Sequence, residues 1–101
     1  ILDFMWESLR GHVQGLHEAR ELALVKCRKL GQLSAKSIRC VHRKEFQEAE
    51  SLLQQAKELA AEARSIISAH KELNPAYLHD TEKEMVEAAA VLAIARKEGL
   101  P

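Results

Sequence analysis

The chain has 101 residues, 15 basic and 15 acidic side chains, zero formal net charge, 47% hydrophobic residues and only 4% aromatic ones. That length supports one small domain with a modest core, and the dominance of Ala, Leu, Glu, Lys, Gln and Arg with just two prolines points to an all-α protein. No run of 18 apolar residues occurs, which excludes a membrane-spanning helix, and the opening Ile1-Leu2-Asp3-Phe4-Met5-Trp6 lacks the basic flank of a signal peptide.

The first periodic segment runs from about Asp3 to Val41. Leu16, Ala19, Ala23, Cys27, Leu30, Ser34, Ser37, Ile38 and Val41 recur at three- and four-residue steps, forming one stripe of a long helix. Gly11 and Gly15 weaken the pattern and predict a break between them. His42-Arg43-Lys44 reads as the turn that follows. Cys27 and Cys40 on one helix would stand about 20 Å apart, too far to form a disulfide. No zinc or Cys-x-x-Cys spacing occurs either, so a reducing, cytoplasmic setting is expected.

Phe46, Ala49, Leu53, Ala56, Ala60, Ala63 and Ile67 keep a heptad, widened by Leu52, Leu59 and Ile66. This second helix should end near Ala69–Lys71. Asn74-Pro75 marks the start of a third, with Asn as cap and Pro at the first helical position, running to about Lys97 before a stop at Gly99. Ala, Ser and Cys recur where Leu would be usual, which predicts close antiparallel packing in a bundle of long helices. The third helix is apolar nearly all round its last three turns, so more protein, from missing chain or further subunits, is expected to cover it. The two ends of the sequence also read as cuts within a longer helical domain.

Charge is distributed unevenly. Between Leu22 and Lys44 there are seven basic residues and no acidic one, whereas Glu45 to Glu62 holds five glutamates and one lysine. Arg28, Lys29, Lys36, Arg39 and Arg43 share a sector of about 100° on the first helix, a basic ridge suited to a phosphate backbone. The bland alternative is a solvated face, although such faces usually mix signs. No aromatic interleaves the ridge, which argues against base-specific readout from it.

The second constellation is acidic. From Met85 to Ala95 every residue is Met, Val, Ala, Leu or Ile except Glu87. Apolar neighbours on every side predict that Glu87 is partly buried, and a buried carboxylate needs a basic partner or a metal ion. Glu84 lies one turn earlier on the same face, and Asp80 one turn before that. Glu84 and Glu87 therefore read as candidate ligands for Mg²⁺ or Mn²⁺, whose held water could attack a phosphodiester. The competing explanation is a buried ion pair. No Glu-x-x-His, His-Glu-x-x-His, Walker loop or Gly-x-Gly-x-x-Gly occurs.

Ser34-Ala35-Lys36-Ser37-Ile38-Arg39, followed by Val41-His42-Arg43-Lys44-Glu45-Phe46, resembles the first helix and turn of translin-family proteins, archaeal ones in particular. Glu82-Lys83-Glu84-Met85-Val86-Glu87-Ala88 is similar to the signature of the TRAX branch (translin-associated factor X), with Met85 where an aromatic is common. The likeness runs from about Leu16 to Ala95. It implies an all-α subunit of roughly twice this length that assembles into homo-octamers and binds single-stranded RNA and DNA. In the TRAX branch two helix glutamates and a later aspartate hold the divalent metal of an endoribonuclease. Glu84 and Glu87 fall on those glutamate positions, so both would be catalytic and metal-binding, with Lys29, Lys36, Arg39 and Arg43 on the nucleic acid. The aspartate-bearing helix has no counterpart before Pro101.

A second resemblance competes. Lys44-Glu45-Phe46-Gln47-Glu48-Ala49-Glu50-Ser51-Leu52-Leu53 is also similar to the turn and second helix of a tetratricopeptide or microtubule-interacting hairpin, which implies a helical interaction module without chemistry. A tetratricopeptide array would repeat after 34 residues, and that step from Phe46 reaches Asp80 where a buried aromatic is needed.

Overall fold

The computed structural model describes residues 1–98. Three helices form an up-down-up bundle measuring 70 × 16 × 14 Å: α1 (Leu2–His42), α2 (Phe46–Ala69) and α3 (Ala76–Glu98). The expected break at Gly11–Gly15 is absent, and α1 is continuous over 41 residues. Neither glycine meets another part of the chain within 4 Å of its would-be Cβ, so nothing pushes on the helix there, and the propensity deficit of about 1 kcal/mol per glycine does not break it. The Gly99 stop lies outside the described residues.

The turn differs from expectation by one residue, because His42 still belongs to α1. Lys44 then takes the left-handed conformation, φ 64°. The Glu45 amide donates to the Cys40 carbonyl at 2.8 Å and the Lys44 amide to Val41 at 2.9 Å. That bond pair is the Schellman arrangement, which satisfies carbonyls at the end of α1 and reverses the chain, with lysine in a place usually held by glycine. At α3 the first helical carbonyl is that of Pro75, which accepts from the His79 amide at 3.0 Å. Asn74 caps from one position further out, its Oδ1 accepting from the Ala76 amide at 3.0 Å.

The core is built from small residues where the helices approach. Ala23, Leu30, Ser37, Ala49, Ala56, Ala63 and Ala88 are fully buried. Ser37 Oγ donates to the Ala49 carbonyl at 2.9 Å, and Ser34 Oγ to Leu30 within its own helix. A serine hydroxyl can reach the facing backbone only if the axes lie near the short end of the usual 8–10 Å separation. From α3, Leu78, Ala88, Leu92 and Ala95 complete the interior. Ion pairs across the surface fix the register: Lys26–Glu62 joins α1 to α2, while Arg64–Glu82 and Glu50–Arg96 join α2 to α3. Both cysteines are buried free thiols. No helix among the described residues is long and apolar enough to cross a membrane.

Candidate nucleic-acid interface

The basic ridge follows directly from helical phase. With α2 and α3 seated on the face of α1 that carries Ala23, Cys27, Leu30, Ser34 and Ser37, the sector holding Arg28, Lys29, Lys36, Arg39 and Arg43 has only solvent to face, and all five are exposed. The ridge is about 22 Å long, and Lys29, Lys36 and Arg43 repeat along it about every 10 Å. Among the described residues, Arg28, Lys29, Lys36 and Arg39 take part in no ion pair. Lys26, Arg20, Arg64 and Arg96, which point elsewhere, each pair with a glutamate. Arg43 is the ridge member with a partner: its Nε lies 3.1 Å from Glu45 Oε1, and that hydrogen bond and charge push its pKa above the ordinary arginine value.

The turn adds residues that sequence reasoning left out. Lys36, Arg43 and Lys44 line an open depression of about 600 Å³ together with Phe46, while Glu45 and Glu48 also lie on its wall. Phe46 is half-buried, packing against the core with one part and lining this depression with the rest. The heptad assigned Phe46 to the interior and left the ridge without an aromatic. Its place as the first residue after a tight turn was the signal that it would stand at the ridge's end.

The acid pair needs correction. Glu87 is exposed, not partly buried, and neither it nor Glu84 has an ion-pair partner among the described residues. The buried ion pair weighed as its alternative is likewise not found. The reason is the width of the packed face. Leu78, Ala88, Leu92 and Ala95 are the buried residues of α3, with Tyr77, Met85, Ala89 and Val91 partly buried beside them, which leaves Glu87 on an open flank beside exposed Val86, Ala90 and Ile94. The surrounding residues are mostly alanine, which offers little apolar surface to hide. Glu84, also exposed, leans over α1: its Oε2 lies 3.2 Å from where a Cβ on Gly31 would stand. Gly31 is about 60° round α1 from Arg28, so the acid pair and the basic ridge occupy neighbouring flanks of the α1–α3 groove.

Two solvent-open carboxylates one turn apart suit a water-rich hard cation as part of its shell. Among the described residues no third His, Cys, Asp or Glu joins them in a closed set. Asp80, on the same helix, is exposed, and Lys83 stands between it and Glu84 in sequence.

Inside the groove, Tyr77 Oη is buried without a hydrogen-bond partner. Burial, then the nearby Cys27, raise its pKa, with Arg20 opposing. The Cys27 thiol is likewise pushed up by burial, against a hydrogen bond with Thr81 that lowers it, and then by the charge of Glu82. Both groups therefore stay protonated at neutral pH and add no charge to the groove.

No family model, curated protein or solved structure matches this chain.

Proposed function

We propose that this chain binds single-stranded RNA or DNA along the α1 ridge, as a translin-type subunit that works as a homo-oligomer. The supporting observation is that Arg28, Lys29, Lys36 and Arg39 are all exposed on one face of α1 and take part in no ion pair among the described residues. A row of free cations with no acidic residue interleaved attracts a polyanion and releases its counterions. Phe46, at the end of the row beside Arg43 and Lys44, adds a ring on which a base can stack. Two buried thiols suit a cytoplasmic setting.

The proposal extends to metal-dependent endoribonuclease chemistry. Glu84 and Glu87 would hold Mg²⁺ or Mn²⁺ beside the strand, with water and a carboxylate from beyond these residues completing the shell. Such an ion supplies Lewis-acid activation of water toward a phosphodiester. The chain's own contribution is to set both carboxylates on the flank next to the ridge.

Binding of fluorescent single-stranded RNA, measured against salt, tests the first part. Four phosphate contacts give a log–log slope near −3, so affinity falls about fiftyfold between 50 and 200 mM salt. Reversing Lys29 and Lys36 to Glu should at least halve that slope, and a flat salt dependence would refute phosphate contact. For the second part, Glu84→Ala and Glu87→Ala should remove Mn²⁺-dependent cleavage and leave binding intact. Unchanged cleavage would refute the role given to these carboxylates.

The alternative is a helical protein-interaction module without chemistry, which the large exposed apolar residues of α1 favour. In that case RNA affinity is weak and no cleavage survives purification.

A further inference from the structure

The bundle does not use all of α1. Lys26 pairs with Glu62 of α2, and His12 approaches Glu72 beyond its end at 3.8 Å, so α2 and its following loop run out near residue 12. α3 starts later still, with Thr81 and Glu84 level with Gly31. The first dozen residues of α1 thus project past both partners.

This overhang carries an ordered apolar stripe. Leu2, Met5, Trp6, Leu9 and Val13 are exposed by 71, 58, 63, 53 and 56%. Their spacing places all five within a sector of about 100°. That sector points the same way as Cys27 and Ile38, which lie along the side of α1 where α3 packs further up. The overhang therefore continues the seat of a helix beyond the point where the chain's own helix begins.

We infer that a second copy of this chain fills that seat, the two α1 overhangs packing antiparallel across a two-fold axis near Trp6. Charge selects this arrangement. Asp3 and Arg10 lie on one flank of the stripe, within about 20° of each other. Their midpoint falls between residues 6 and 7, close to the centre of a stripe that spans residues 2 to 13. An antiparallel partner centred there sets Asp3 of each copy opposite Arg10 of the other, giving two reciprocal ion pairs from one sequence, as a two-fold contact requires. A parallel two-fold pair would put this flank of each copy on opposite sides of the interface, so Asp3 and Arg10 of one copy would not meet those of the other. The flanks also disfavour an anionic lipid surface, since Asp3 and Glu7 face a single Arg10 over this stretch and no lysine is present.

Covering the five side chains on both copies removes on the order of 1,000 Å² from water, at the low end for a specific interface. The association is therefore reversible, with a Kd on the order of micromolar. This surface deepens the homo-oligomer part of the proposed function and is independent of the nucleic-acid part.

Trp6 is the sole tryptophan and reports directly on the contact. Sedimentation equilibrium across a concentration series should show a monomer–dimer transition, with Trp6 emission shifting to the blue along the same isotherm. Asp3→Arg and Arg10→Asp should each raise the dimer Kd about tenfold, since each turns two attractions into two repulsions. Combining them restores the pairs in reversed sense and should bring the Kd back to within about threefold of the parent. Circular dichroism on each variant checks that the helices are retained. A chain that stays monomeric overturns the inference. So does one that oligomerises with Trp6 emission unchanged, although the broader homo-oligomer reading then survives. A blue shift that appears only on adding phosphatidylglycerol vesicles also overturns it.

Discussion

Replacing Ala49 with leucine tests whether small residues set the spacing of the bundle. Ala49 has no exposed surface, and its carbonyl accepts from Ser37 Oγ at 2.9 Å, so α1 lies directly over its Cβ side of α2. Leucine adds three carbons at a site with no space for them. Overpacking of this kind costs about 1–3 kcal/mol, and forcing the helices apart also breaks the serine bond, worth about 1 kcal/mol. The expected loss is about 3 kcal/mol, which for a chain of this size lowers Tm by about 15 °C. Thermal unfolding followed by circular dichroism measures it, with Ala61→Leu as the control. Ala61 is exposed on the same helix, and there the change should stay within about 0.5 kcal/mol. Equal Tm values for the two variants would refute the claim that α1 and α2 are held close by residue size.

Lys44→Gly should stabilise the fold by about 1 kcal/mol, since glycine adopts the φ of 64° without the strain lysine bears; chemical denaturation gives the value, and a loss would mean that the side chain holds the turn. Gly31→Ala should raise stability by about 0.5–1 kcal/mol, because the new Cβ meets Thr81 Cγ2 at an ordinary 3.7 Å and is tight only against Glu84 Oε2 at 3.2 Å, the free end of a side chain that can swing aside. Destabilisation there would show that Glu84 is fixed over α1. The raised pKa values of Cys27 and Tyr77 set an alkaline limb. The unfolded chain deprotonates at the ordinary values, so stability declines as pH rises from about 8.5, and Cys27→Ala should flatten the first part of that decline. At the acid end, Arg96 holds the Glu50 carboxyl below its ordinary range through a hydrogen bond and charge. What that pair contributes is present above the ordinary carboxylate pKa and fades as pH falls through the lowered one, and Glu50→Gln removes this dependence.

The periodicity of the chain was enough to determine three helices, because a stripe of Ala23, Cys27, Leu30, Ser34 and Ser37 fits only a 3.6-residue repeat and a long polar remainder. It also determined which face of α1 turns outward, and with it the basic ridge. The end of α2 and the Asn74-Pro75 start were legible for the same local reason: caps and breakers act within a few residues. The left-handed Lys44 was not, since nothing in its identity requests that conformation and only the pairing of Glu45 with Cys40 across the turn imposes it.

The fate of Glu87 was decided by tertiary structure alone. An apolar run around a carboxylate says that one side of the helix is buried without saying which, and the alanines of α3 left that choice to the neighbours. Packing selected the side with Leu78, Ala88, Leu92 and Ala95, the larger leucines having the most surface to remove from water, and Glu87 was left in solvent. Phe46 shows the same limit, since a heptad position fixes a direction and the depth of the groove it faces depends on a turn two residues away. Sequence determines which residues share a face, because that is a property of one helix; burial is a property of two, and needs the second helix in place.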